Sequence, residues 1–189
     1  MIKKIVTIGP ESTGKSFLCT QLAAHYKSAW CPEFAREYLL KNGMNYTYDD
    51  LLTIAKGQLK LEEKIMDDLK TKIASNKAHD LIHHTPYLID TDMNVMKVWC
   101  EFVFGNCHRF ILDQIVERDY DLYLLCNIDM PWVKDELREY PDLASRQKLY
   151  AIYKDILVNQ EVPWVEISGQ NEDRVHLAIK AVDKIIAGE

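Results

Sequence analysis

Short apolar runs alternate along the chain with segments whose apolar residues recur at helical spacing, and this alternation predicts the architecture. Ile5-Val6-Thr7-Ile8 is a strand-like run that stops at Gly9, and Phe17, Leu18, Leu22 and Tyr26 follow at helical spacing. A second short strand, Ser28 to Cys31, ends at Pro32, after which Glu33 to Asn42 predicts a helix closed by Gly43. From Thr47, a T-x-x-D start and the set Leu52, Ala55, Leu59, Met66, Leu69 and Ile73 predict a long amphipathic helix with Glu62, Glu63, Asp67 and Asp68 on its wet side. Pro86 to Asp90 reads as a buried parallel strand, being continuously apolar and closed by a carboxylate. Thr91-Asp92 opens an apolar helix through Phe104, ended by Gly105, and another helix spans His108 to Arg118. Tyr120 to Ile128 is a strand, followed by a polar, helix-prone stretch from Pro131 to Gln160. Trp164 to Ile167 is the last strand, and after a Ser168-Gly169 turn Val175, Ile179, Val182 and Ile186 predict a helix stopped by Gly188. Five strands alternating with helices point to an α/β fold: a five-stranded parallel sheet with helices on both faces and right-handed crossovers.

Composition narrows the class. A chain of 189 residues with 48% hydrophobic content predicts one domain spanning residues 1–189. Its 23 Lys+Arg against 29 Asp+Glu leave a net charge of −6, so no global attraction to nucleic acid is expected. No apolar run approaches the ~18 residues of a membrane span, and the start reads directly into a strand and glycine turn rather than a signal peptide. The expectation is a cytoplasmic protein without membrane insertion. Cys19, Cys31, Cys100, Cys107 and Cys126 are scattered and contain no C-x-x-C pair, which predicts buried thiols rather than disulfides or a zinc site. His83 and His84 have no partner at metal-ligand spacing and read as an exposed turn.

The chemistry sits in Gly9-Pro10-Glu11-Ser12-Thr13-Gly14-Lys15-Ser16, which fits G-x-x-x-x-G-K-[ST] between a strand and a helix, the signature of a P-loop NTPase. Gly9 and Gly14 let the backbone curl so that successive N–H groups face phosphate oxygens, and the following helix directs its positive end at the same anion. Lys15 is then placed for the β- and γ-phosphates and Ser16 for Mg²⁺. Glu11, Ser12 and Thr13 in the loop and Thr20 on the helix complete the candidate nucleotide contacts. The loop does not specify the acceptor, since hydrolases, kinases and nucleotide switches share it.

Other candidates lie at the carboxyl edge of the predicted sheet, where ligands of open α/β folds bind. Asp90 is the expected second Mg²⁺ contact, or else a carboxylate that only caps the next helix. Asp92 reads either as a substrate ligand or as a helix cap. Glu33 is placed to accept a proton from an attacking alcohol, or else only favours a helix dipole. Arg36, on the same helix, either binds an acceptor oxygen or pairs with Glu33. Trp30 either lines the acceptor pocket or belongs to the core. Arg138 and Arg146 lie in the polar stretch of about residues 131–160; in a kinase this would form a lid placing an arginine on the γ-phosphate, and otherwise it is a solvated face.

GPESTGKS, SAWCPEFAREYL (28–39), LIDTD (88–92), KVWCEFVFG (97–105), YDLYLLCNIDMPWVKDELR (120–138) and VPWVEISG (162–169) together resemble the ribosylnicotinamide kinase domain of NadR-type proteins across nearly the whole chain. The resemblance implies a nucleoside- or nucleotide-kinase-like fold with a lid segment. It also implies phosphoryl transfer from ATP, with Mg²⁺, to the 5′-hydroxyl of nicotinamide riboside, giving nicotinamide mononucleotide for NAD salvage. Carried onto this chain, it assigns the loop to Gly9–Ser16, the strand-end acid to Asp90 and the lid arginines to Arg138 and Arg146; Glu33 as base is inferred from position. NadR-type proteins carry an adenylyltransferase domain ahead of this one, and that activity is not expected of this chain. Two alternatives stand beside this reading. One is a non-catalytic GTP-binding module, as in related lipid-associated trafficking factors, although Cys126-Asn127-Ile128-Asp129 stands where N-K-x-D would read guanine; the other is a kinase of a different nucleoside.

Overall fold

Five strands, β1 (Ile2–Ile8), β2 (Trp30–Cys31), β3 (Thr85–Asp90), β4 (Leu122–Cys126) and β5 (Trp164–Ile167), form one parallel sheet ordered β2-β3-β1-β4-β5. The computed structural model describes residues 1–75 and 85–188, so His83 and His84 lie outside the described residues. The helices are α1 (Lys15–His25), α2 (Phe34–Asn42), α3 (Tyr48–Ser75), α4 (Met93–Phe104), α5 (Arg109–Glu117), α6 (Leu143–Val158) and α7 (Glu172–Ala187).

β1 is central because alternate side chains are apolar on both faces. Ile5 packs on one side with Leu18 and Leu22 of α1 and Ala178 and Val182 of α7. Val6 and Ile8 pack on the other side with Val95 and Val98 of α4 and Leu149 and Tyr153 of α6. Strands buried on both faces carry continuous rather than alternating hydrophobicity, which is why the short runs were legible. Truncating one of these side chains, Leu22→Ala for example, would cost about 2–5 kcal/mol.

A third cluster joins α2, α3, α4 and α5 through Ala35, Leu51, Ile54, Met96 and Ile111. Phe34 packs closely over Gly57 inside α3, where an added Cβ would lie 2.1 Å from Cε1 of Phe34. A mid-helix glycine costs about 1 kcal/mol in propensity, and here it seats the start of α2 against α3. Next to it, buried Gln58 accepts from Phe34 N–H at 2.7 Å and donates to the Pro32 carbonyl at 3.2 Å, fixing the turn that carries Glu33.

Several expectations need correction. Glu62 is buried rather than wet: it lies four residues after Gln58 on the inward stripe and is paired with Arg118 at 3.3 Å. The second strand is only Trp30–Cys31, and the fourth stops at Cys126 rather than Ile128. The stretch expected as one lid is two structures, irregular backbone through residue 142 and then α6, whose N-cap Asp142 accepts from Ser145 N–H at 2.8 Å. Arg146 is therefore carried on the first turn of a packed helix. All five cysteines are free; four are buried and Cys107 is half-buried.

Candidate functional site

The site begins where β1 ends. Gly9 has φ +139°, and a Cβ there would stand 2.7 Å from the carbonyl oxygen of Cys126, so both the dihedral and the close approach of β4 demand glycine. Gly14 is the N-cap of α1 in the left-handed region (φ +78°) with no side-chain cap, which leaves the first helical N–H groups turned toward the loop. Lys15 donates to the carbonyls of Gly9 and Pro10 at 3.0 Å each, holding its ammonium across the loop. Thr13 is buried and its hydroxyl donates to Pro10 at 2.7 Å, so it shapes the loop.

Across the sheet edge, the Ser16 hydroxyl donates to Oδ2 of Asp90, whose Oδ1 is buried and has no hydrogen-bond partner among the described residues. Burial raises the Asp90 carboxyl above its ordinary value, while Lys15 and the Ser16 hydrogen bond pull it down. A hard divalent cation matches this donor set: a hydroxyl and a carboxylate with an unused, desolvated oxygen are oxygen ligands of the kind Mg²⁺ takes. The chain turns sharply just after Asp90. Thr91, a buried β-branched residue, has φ +81°, a conformation costing roughly 1–3 kcal/mol. That turn sets Asp92 as the N-cap of α4, accepting from Val95 N–H at 3.1 Å, Asn94 at 2.8 Å and Tyr123 at 2.9 Å. The structure thus places Asp92 in the helix cap and outside the cavity lining.

Glu33 is the N-cap residue of α2, yet its side chain makes no cap hydrogen bond among the described residues, while Gln58 holds the Phe34 N–H. Its half-buried carboxyl lines the cavity. Burial, with Asp90 adding repulsion, pushes it up to about 7 against the pull of Lys15 and Arg36. Arg36 pairs with neither Glu33 nor a free edge: it makes a two-pronged contact with Asp135 at 3.2 Å. Trp30 packs half-buried on the α1/α7 core and also lines the cavity.

The segment after β4 crosses over the loop. Ser12, at φ +58°, accepts from Val133 N–H at 2.9 Å and from Arg138 at 3.3 Å, and Glu11 accepts from the N–H groups of Glu139, at 3.0 Å, and Tyr140. Arg138 is thereby brought to the loop. Arg146 is not: it is buried, donates to the Met130 carbonyl at 3.2 Å and does not line the cavity. Thr20 bonds the Phe17 carbonyl at 2.7 Å and also lies outside the lining.

These elements enclose a cavity of about 400 Å³. The phosphate loop and Asp90 form one part of its wall, and Trp30, Val95, Val98, Trp99, Phe102 and Tyr153 supply apolar and aromatic surface. Its carboxylates, Glu11, Glu33, Asp90, Asp135 and Glu139, outnumber the cations Lys15, Arg36 and Arg138. The sequence reading missed Gln58, Thr91, Asp135 and Glu139. A polar residue on the apolar stripe of α3 was the available signal for Gln58, whereas nothing local marked the other three.

The strand–loop–helix of a nucleotide-binding fold, closed by a strand-end aspartate, agrees with comparison to known proteins: a family model described as an AAA domain matches residues 4–174. The chain belongs to this AAA-domain family. Among curated proteins, this AAA domain is similar to the trifunctional NAD biosynthesis/regulator protein NadR of Salmonella typhimurium, at 26% identity over the full chain and 43% of the relative. It is also 24% identical, over the same shares, to the NadR protein of Escherichia coli. The chain spans less than half the length of these relatives. In fold, it matches the crystal structure of NadR in complex with NR with a TM-score of 0.74, at 20% identity over 98% of this chain and 50% of that one. Thymidylate kinase from Ehrlichia chaffeensis matches with a TM-score of 0.59, at 11% identity over 96% of this chain and 97% of that one. The AAA domain therefore has a P-loop kinase fold.

Proposed function

We propose that this chain is a kinase that transfers the γ-phosphoryl group of ATP to the 5′-hydroxyl of nicotinamide riboside, giving nicotinamide mononucleotide. The observation that carries the reading is Glu33: an uncapped carboxyl, shifted to about 7, in the same cavity as the phosphate loop. A switch needs no general base, and although a hydrolase could use one on water, the aromatic-walled space beside Glu33 suits an organic alcohol as acceptor. The likeness to NadR proteins, one of them seen in complex with NR, supports the choice of acceptor.

In this mechanism the loop N–H groups and Lys15 hold the β- and γ-phosphates. Ser16 and Asp90 are the residues that would hold Mg²⁺, which when bound supplies charge neutralisation at the phosphate oxygens. The acceptor oxygen forms its bond to the γ-phosphorus as the bond to the β–γ bridging oxygen breaks, ADP leaves, and Glu33 takes the hydroxyl proton. Arg138, held above the loop by Ser12, is the nearer of the two lid arginines to the developing charge. The guanine-reading alternative gains no support from Asp129, whose carboxylate binds Gly169 N–H at 2.6 Å and Arg174. The reading is tested by incubating the protein with ATP and nicotinamide riboside and identifying the product by mass; absence of nicotinamide mononucleotide from a folded, nucleotide-binding protein would overturn it.

A further inference from the structure

Arg174, near the start of α7, does not line the cavity and has no place in the mechanism above. Only 3% of it is exposed. A guanidinium is rarely buried without extensive partners, because desolvating the charge is costly. Here its donors reach three separate parts of the chain. Nη1 donates to the carbonyl of Thr13 in the phosphate loop at 3.0 Å. Nη2 donates to the carbonyl of Asn127 at 2.8 Å and to the Asp129 carboxylate, both just beyond β4. Nε donates to the carbonyl of Gly169 in the turn after β5 at 2.8 Å.

The Thr13 contact bears on phosphate binding. A trans peptide is planar with its C=O and N–H pointing in opposite directions, so fixing one fixes the other. With the Thr13 carbonyl held outward on Arg174, the N–H of Gly14 in the same peptide unit is turned the opposite way, toward the interior of the loop, where an anion is bound by successive N–H groups. Gly14, at φ +78°, is the residue with the greatest freedom to lose that orientation.

We propose that Arg174 is a positioning residue for nucleotide: by clamping the Thr13 carbonyl to the ends of β4 and β5 it pre-orients the Gly14 N–H for phosphate. It acts through the loop and touches no substrate. The inference rests on nucleotide occupying the phosphate loop, and it does not depend on which alcohol is phosphorylated.

Lysine is the discriminating replacement, since it keeps the charge yet lacks the planar fork that spans several carbonyls at once. Binding of ADP with Mg²⁺, measured by calorimetry on Arg174→Lys, is expected to weaken about 5- to 50-fold, the range for losing one or two charge-assisted hydrogen bonds. The KM for the acceptor should stay within two-fold. Amide exchange at Gly14 should quicken in the variant without nucleotide while core amides of β1 stay protected. Should Arg174→Lys not fold, Asp129→Asn, which weakens the anchor on the guanidinium, replaces it under the same criteria. ADP affinity within two-fold of the parent in a folded variant, or an equal loss for ADP and acceptor, overturns the proposal. Because ADP binding needs no acceptor, a failure of nicotinamide riboside phosphorylation would leave this test standing, and the reverse also holds.

Discussion

The Ser16 hydroxyl donates a hydrogen bond to one oxygen of Asp90, and the other oxygen of that buried carboxylate has no hydrogen-bond partner among the described residues. A serine of the phosphate loop and an acid from the next strand over thus converge on one point without completing each other's coordination. If that point holds Mg²⁺, Asp90→Asn and Ser16→Ala should each reduce the advantage of Mg·ADP over free ADP, with free ADP bound at least as well by Asp90→Asn once the negative charge is gone. Titrations with and without Mg²⁺ measure the ratio; an unchanged ratio in both variants removes the metal assignment.

Glu33 predicts a pH profile. As a base it must be ionised, so kcat/KM should fall as pH drops below about 7, the value to which its carboxyl is pushed. Glu33→Gln should lower kcat by ~10²–10⁴ and abolish that limb. The same shift has a stability consequence of opposite sign. Between pH 7 and its ordinary value of 4.5 the folded chain binds this proton more tightly than the unfolded chain, so the Glu33 contribution makes the nucleotide-free protein more stable as pH falls through that window. Thermal melts of the parent and Glu33→Gln across this range should diverge at the neutral end, with the variant higher.

The two arginines of the 131–160 stretch should separate. Arg138 meets the phosphate loop, so Arg138→Ala should reduce kcat more than nucleotide affinity, without loss of Tm. Arg146 is buried on α6, so Arg146→Ala should lower Tm and affect kcat only in proportion to unfolded protein. Equal kinetic losses in both, at equal Tm, would contradict this division.

Trp30 and the acidic balance of the cavity predict a preference for a cationic acceptor. An aromatic face near a cation contributes ~0.5–2 kcal/mol, so Trp30→Ala should raise the KM for nicotinamide riboside several-fold and leave ATP unaffected. Nicotinic acid riboside, whose carboxylate cancels the ring charge, should be the poorer substrate. Equal kcat/KM for the two ribosides would show that the cavity does not read the charge.

Features set by local sequence were legible; those set by distant partners were not. Gly9, Gly14, Lys15 and Ser16 are constrained by the geometry of a single loop, so spacing alone revealed them, and short apolar runs marked all five strands. Glu62 read as wet because charge normally faces water, and only the arrival of Arg118, 56 residues later, allows its burial. Arg174 was invisible for the same reason, its partners lying up to 161 residues away. Arg36 could not be resolved between two local roles because its partner, Asp135, belongs to the segment that crosses over the loop. Asp92 stayed ambiguous because a helix cap and a ligand use the same residue type, and the turn at Thr91 decided its position.

The central claim is most directly tested by steady-state kinetics with ATP across a panel of acceptors: nicotinamide riboside, nicotinic acid riboside, uridine, cytidine and thymidine. Nicotinamide riboside should give the highest kcat/KM, with ADP and nicotinamide mononucleotide formed in equal amounts, and a folded Lys15→Ala should lose at least ~10²-fold in rate because the transition-state charge is no longer held. Faster turnover of uridine or cytidine, or near-parental turnover by Lys15→Ala, would contradict the account.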